Sequence, residues 1–360
     1  MTKVEYFPQF FARSRPYMAE FVRQILPPDG AKRAKPGLSL FYDAYLAKLA
    51  ETPGGAKLIT ARLMREAQGG LVHGEWFRSG SIVYDFDNTL IDALERSDPG
   101  EVRPADLNFP FDTMYIAFGS EHSIAFSNGA KVTGAYVMNS PGHGLRVVLT
   151  APQPASTPWF ERYGEFFDTR ILDAYWDRPL DEAIENSLRD DQADLLRALE
   201  KEASLSAGPD ASREIEKLIE HIAANRDAFR KAVQLIANGL CFITAYREDI
   251  RESWQPGTPE KWITKATKGT PKEIGRARSK LNAMGYRQVL RVGEQFGRLA
   301  ASSPRGGTWR RGHWRNQAYG PAFSLHRVRW IRPVAVLGGG APESDEARVY
   351  EVPSAAHVAR

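Results

Sequence analysis

Between residues 82 and 150 the hydrophobic period changes from helical to strand-like, and the turns inside this stretch leave few ways to fold it. Residues 82–86, 113–118, 123–127, 131–138 and 145–150 are short apolar or alternating runs, each of strand length. Asn128 and Gly129 form a two-residue hairpin signal, and residues 140–144 supply another turn. Runs joined by such short turns must pair antiparallel. A meander with a face to bury needs helices to cover it, and helical spacing occurs before and after it. The predicted class is α+β, with a helical N-terminal part, a central antiparallel sheet with long helices, and a basic C-terminal strand unit.

The flanking segments fill in that outline. Phe10, Phe11, Tyr17, Phe21, Val22 and Ile25 predict a helix over 7–26, closed by Pro27 and Pro28. Residues 40–50 and 56–67 show the three-four spacing of amphipathic helices, so 1–80 reads as the helical part. Proline-rich residues 152–158 lead to one more strand at 166–172. A charged helix over 179–203 and a break at 206–210 precede a long helix over 212–246, which is very apolar after Phe229 and is expected to lie under the sheet. Residues 254–272 read as a polar loop. Residues 272–300 read as a helix through Ile274, Leu281, Met284, Val289, Val292 and Phe296. The α+β core is assigned to 81–340, and 341–360 to a disordered tail.

The segment 308–319 suits neither a core strand nor a solvated linker. It holds Trp309, Arg310, Arg311, His313, Trp314, Arg315 and Tyr319, with no acidic residue. Downstream, Arg327 and Arg329 alternate with Val328 and Trp330, the period-two pattern of a half-buried strand with a basic outer face. Pro333 assigns that strand to an edge or a bulge. Guanidinium groups beside aromatic rings suit stacking on bases, cation–π contact, or clamping of an acidic or peptide ligand. The competing reading is a surface hairpin whose arginines lie over tryptophans and only complete the fold.

The block Arg310 to Trp314, followed by Arg327, Val328, Arg329 and Trp330 and an apolar end, resembles the second type V-A anti-CRISPR family. Leu107, Asn108, Phe109 and Pro110 ahead of a strand, and the helix at 235–250, carry further likeness, over about 71–340 in all. The resemblance implies a protein of phage or mobile-element origin that acts on production of the type V-A CRISPR nuclease. Its implied partner is the nuclease's nascent N-terminal peptide, and its implied effect is a lowered nuclease mRNA. Trp309, Arg310, Arg311, His313, Trp314, Arg315, Arg327, Arg329 and Trp330 are the candidate peptide- or RNA-binding residues.

Charge distribution supports an anionic partner. Residues 261–332 hold 17 Lys and Arg against 2 acidic residues, while the rest of the chain is net acidic. A basic third on an acidic body fits mRNA, a ribosome or an acidic protein face, which keeps a general RNA- or ribosome-binding protein as an alternative. The lone Cys241 rules out an internal disulfide and a Cys-x-x-Cys metal site. No apolar run is long enough to span a membrane, so the expected compartment is the cytoplasm.

Enzymatic readings are weaker. Residues 82–90 match the haloacid-dehalogenase first motif, in which Asp85 would attack phosphorus and Asp87 would serve as acid or base beside magnesium. That chemistry needs a parallel sheet, and hairpin-joined strands argue against one. The two aspartates instead suit capping of the next helix. His313 has no paired acid nearby in sequence to make it a ribonuclease base. No cofactor or metal is implied, and the reading is a binding protein rather than an enzyme.

Overall fold

The computed structural model describes residues 5–14, 61–99, 102–119, 122–140, 144–151, 166–171, 173–204, 209–296, 308–310, 312–321, 324–331 and 334–336. Residues 15–26 of the first expected helix, the helix expected over 40–50, residues 56–60 of the next, and the tail at 341–360 lie outside these residues. Strands β1 (Val83–Phe86), β2 (Ser97–Asp98), β3 (Thr113–Ala117), β4 (Gly134–Ser140), β5 (Gly144–Thr150) and β6 (Phe166–Ile171) come first. Then follow β7 (Ile250–Trp254), β8 (Gln288–Val292), β9 (Thr308–Arg310), β10 (Gly312–Tyr319), β11 (Leu325–Ile331) and β12 (Val334–Val336). The helices are α1 (Phe7–Ser14), α2 (Ala61–Arg78), α3 (Asn88–Glu95), α4 (Leu180–Ser204), α5 (Pro209–Ala245), α6 (Glu260–Thr267) and α7 (Pro271–Ala283).

The class is α+β, and its main sheet has seven strands in the order β6-β5-β4-β3-β1-β8-β7. The meander β3 to β6 is antiparallel throughout, and the turn signal at 140–144 predicts its β4–β5 pairing. The sheet as a whole is mixed, because β1 runs parallel to both β3 and β8. This corrects the expectation of an antiparallel sheet and has a definite cause. Residues 288–292 were expected to continue a helix, since Val289 and Val292 are three apart. In a strand that interval puts them on opposite faces, and both faces are covered here: Val289 joins one core and Val292 the other. Gly285, at φ 79°, turns the chain out of α7 into this strand. The expected loop at 254–272 likewise holds the end of β7 and all of α6. Residues 123–127 form no strand; a single bridge pairs Ala125 with Lys131 around the Asn128–Gly129 turn.

Three layers result. On one face, Phe7 and Phe11 of α1 and Val72 and Trp76 of α2 pack on Val83, Tyr115, Tyr136 and Val148. On the other, Leu90, Ile91 and Leu94 of α3, Ile184 of α4, and Phe229, Val233, Ile236 and Leu240 of α5 meet Tyr84, Phe86, Met114, Ile116, Val137 and Val147. Each fully buried side chain of this size contributes roughly 1.5–3 kcal/mol. The apolar half of α5 lies under the sheet as its sequence predicts. Gly239 permits its closest approach, since a Cβ there would stand 3.0 Å from Phe86 Cζ. Cys241 is buried in this layer, and burial pushes its thiol up to about 12.

Candidate functional site: a tryptophan-backed ribbon and its cleft

The C-terminal strand unit forms a second sheet in the order β11-β10-β2. Antiparallel pairing sets Trp314 opposite Trp330 and Arg315 opposite Arg329, and parallel pairing sets His313 beside Asp98. Strand alternation therefore sorts the arginine–indole segment by position parity. Trp314 and Trp330 point inward and are 6% and 3% exposed, whereas His313, Arg315 and Arg329 are exposed. The indoles stack at a 6.0 Å centroid distance, and Trp330 also meets Phe242 and Phe296 at 5.8 and 5.3 Å.

Both indole N–H groups are satisfied inside. Trp314 Nε1 donates to Asn238 Oδ1 at 2.8 Å, and Trp330 Nε1 donates to Ser97 Oγ at 3.0 Å. Asn238 Nδ2 donates to the carbonyls of Leu94 and Ser97, and Ser97 Oγ donates to the Ala93 carbonyl. One asparagine of α5 thus ties together α3, β2 and β10. A buried network with every member paired fixes the ribbon in one position.

Trp314 and Trp330 are therefore corrected from accessible contacts to the ribbon's anchor. Of the other candidate residues, His313, Arg315 and Arg329 share the outer face. Arg327 stands opposite Gln317 in register, while Trp309 and Arg310 lie in β9, opposite Ala335 and Val334 of β12. Arg311 lies outside the described residues. On the outer face Arg329 Nη1 donates to Gln317 Oε1 at 3.5 Å.

Sequence reasoning missed the cleft behind this anchor. It measures about 890 Å³ and is lined by parts of α3, β2, the 122–131 turn, the start of α4, and the Lys231 to Asn238 stretch of α5. Its walls carry Asp92, Glu95, Asp98 and Asp181 beside Arg96, Lys131 and Lys231. Arg96 pairs with Asp92 at 2.7 Å, Glu95 accepts from the Ser123 backbone N–H and hydroxyl, and Asp181 accepts from Gln234. His122 lines the same cleft, and its Nδ1 accepts from the Ile124 N–H, so the neutral ring carries its proton on Nε2. Burial lowers the pKa of His122, Lys131 adds to that, and Glu95 opposes it. The lining residues are scattered from 92 to 238, so no local motif announces them.

The aspartates of the dehalogenase-like motif are placed differently from each other. Asp87 caps α3, accepting from the Thr89 N–H at 2.9 Å, as expected. Asp85 does not cap. Its carboxylate lies 3.8 Å from Arg291, which also meets Glu294 at 3.1 Å, and its side chain is 13% exposed. Burial raises its pKa, against the pull of the Tyr6 hydroxyl and Arg291. Parallel neighbours for β1 are present after all, and the carboxylate that would attack is largely enclosed beside Arg291. Among the described residues no group of three or more His, Cys, Asp or Glu could share a metal ion, and no helix is long and apolar enough to cross a membrane.

A protein-family model described as the anti-CRISPR type V subtype A2 family, AcrVA2-like, matches residues 84–338. The matched region takes in the whole of the cleft and the ribbon. Among solved structures the chain is similar to a crystal structure of AcrVA2, at 15% identity and a TM-score of 0.46, covering 91% of this chain and 97% of that one. No curated protein sequence matches.

Proposed function

The chain belongs to the anti-CRISPR type V subtype A2 family, and on that premise we propose that it lowers production of the type V-A CRISPR nuclease. In this reading it recognises the nuclease's N-terminal peptide as that peptide emerges in the cytoplasm, and the nuclease mRNA is lost as a result. It acts by binding, without turnover. The family match carries the reading, because it includes every residue of the cleft and ribbon.

The geometry supplies a physical route. A cleft of this size accommodates several residues of an extended chain. The carboxylates of Asp98 and Asp181 suit the ammonium group of a peptide N-terminus, and β11, at the sheet's edge, offers main-chain groups to a strand laid beside it. His313, Arg315 and Arg329, exposed on the outer face of the ribbon, hold the following segment or ribosomal phosphate, and Trp309, Arg310, Arg311 and Arg327 remain candidates by their place in the sequence.

Co-expression with a type V-A nuclease tests the reading. Nuclease message and protein should both fall; normal levels of both, with this protein well expressed, would overturn it. A reporter fused to the nuclease's N-terminal segment should fall too, and Asp98→Lys with Asp181→Lys should restore it. A general RNA-binding protein would instead lower the reporter with or without that segment.

A further inference from the structure

The edge of the main sheet carries more than the sheet requires. Strands β7 and β8 pair antiparallel, a connection that two residues could make. The chain instead spends residues 255–287 on the helical hairpin α6–α7. The hairpin has its own small core of Trp254, Ala266, Ala277 and Leu281, with Trp262, Ile263 and Met284 packed against it. It is also fixed in orientation. Buried Gln255 accepts from the Arg287 N–H and from Gln9 Nε2 of α1, and Gln9 donates as well to the Gly285 carbonyl. A capping box between Thr270 and Glu273 holds the start of α7.

This rigid unit presents an unbalanced charge. Lys261, Lys265, Lys268, Lys272, Arg276, Arg278 and Lys280 are all exposed. No ion pair with a carboxylate among the described residues neutralises any of them. The two acids of the hairpin are Glu260 and Glu273, and Glu273 is engaged in the cap. Lys265, Lys268, Arg276 and Lys280 surround a groove of about 380 Å³ that also contains Trp262, Gly269, Ala277 and Glu273, the last with its carboxylate engaged by Thr270. Trp262 is half-buried, with the Lys265 ammonium 5.3 Å from its ring centroid. A groove with four cations against one capped carboxylate and an aromatic ring in its wall matches a phosphate backbone whose bases can stack. An acidic protein surface would satisfy the charges but would leave the indole without a planar partner.

We propose that the α6–α7 hairpin is a binding site for single-stranded RNA, with Lys265, Lys268, Arg276 and Lys280 on the phosphates and Trp262 against a base. The site is separate from the cleft and ribbon, and its test does not depend on the nuclease reading. The experiment is fluorescence anisotropy of the intact protein with a labelled single-stranded RNA of roughly 16 nucleotides. Salt is titrated from about 50 to 200 mM.

The wild type should bind, and log K should fall with log salt by about 0.7 for each phosphate neutralised. Lys268→Glu with Lys280→Glu, both on exposed positions, should weaken binding at least about tenfold. Arg197→Glu, the same change of charge on α4, should leave binding within about twofold. Trp262→Phe keeps the packing and a stacking face and should bind nearly as wild type, while Trp262→Leu should lose about fivefold or more. Circular dichroism melts of each variant confirm folding. Absence of binding at low salt would overturn the proposal. So would an affinity unmoved by the hairpin reversals, loss only on reversal of Arg315 and Arg329, or competition by polyglutamate as strong as by unlabelled RNA.

Discussion

The ribbon and the helical hairpin come from the same basic third of the sequence and use the same residue types, yet they place their aromatic rings oppositely. In the ribbon the indoles are sealed in and the guanidinium groups face out. In the hairpin Trp262 shares a groove with lysines and an arginine. Element type decides the difference. In a strand, neighbouring positions such as 314 and 315, or 329 and 330, fall on opposite faces. In a helix, residues three apart such as Trp262 and Lys265 share one. An arginine–tryptophan segment in a strand therefore builds an anchored wall with a separate charged face. The same chemistry on a helix builds a mixed surface.

The largest expected effect tests that contrast directly. Trp330→Ala removes a ring packed on Trp314, Phe242 and Phe296 and should cost about 3–5 kcal/mol in urea denaturation. Trp262→Ala, from a half-buried site, should cost less than about 2 kcal/mol. Equal losses would break the comparison. Asn238→Ala comes next, at about 1–3 kcal/mol, because it strands the Trp314 N–H and two buried carbonyls. Trp314→Phe, made in the Asn238→Ala background, should add less than it does alone, since the hydrogen bond it removes is already gone.

How far the sequence foretold this arrangement depends on the element. The β4–β5 hairpin of the meander was legible because the turn signal at 140–144 fixes antiparallel neighbours without any long-range information, whereas the Asn128–Gly129 signal marked a turn that carries a single bridge. The long helix was legible through its apolar run after Phe229. Strand β8 was not, because Val289 and Val292 satisfy helical spacing and a two-sided strand equally well. That ambiguity hid the parallel pairing of β1 and weakened the argument drawn from strand direction against the dehalogenase-like motif. What the geometry adds is Asp85 largely buried and facing Arg291. In the candidate site the alternation of Arg327 to Trp330 was visible, and it implied buried indoles if taken at face value. The cleft was invisible, since Asp98, His122, Asp181 and Asn238 meet only after folding.

Acidification separates the two regions by a smaller margin. His122 has a lowered pKa in the fold, so the unfolded chain takes up its proton first, near pH 6.5. The stability it contributes is present above that pH and is lost as pH falls through the unfolded value towards the folded one. Glu273 in the hairpin cap also has a lowered pKa, chiefly from the Thr270 backbone N–H, so its contribution persists until pH falls through the carboxylate range. Between pH 7 and 5 the wild type should lose melting temperature, His122→Gln should lose less, and Glu273→Gln should follow the wild-type slope. A flattened slope in Glu273→Gln with none in His122→Gln would reverse the assignment.

The smallest effect on stability is expected on the face to which the proposed function assigns the partner. Arg315 and Arg329 stand directly opposite one another on the exposed face of the ribbon. Like charges at such a cross-strand pair repel, by a few tenths of a kcal/mol at an exposed site. Replacing both with alanine should leave stability unchanged or raise it by about 0.2–0.5 kcal/mol at low salt. Screening should shrink that gain as ionic strength rises. If the proposed function holds, the same double variant should lose suppression of the nuclease in co-expression, because in that reading an anionic partner settles between the two guanidinium groups. A substantial loss of stability, with suppression intact, would mean that the outer face serves the fold as the inner one does. The ribbon would then be a wall on both sides, and the hairpin would be left as the charged surface open to a partner.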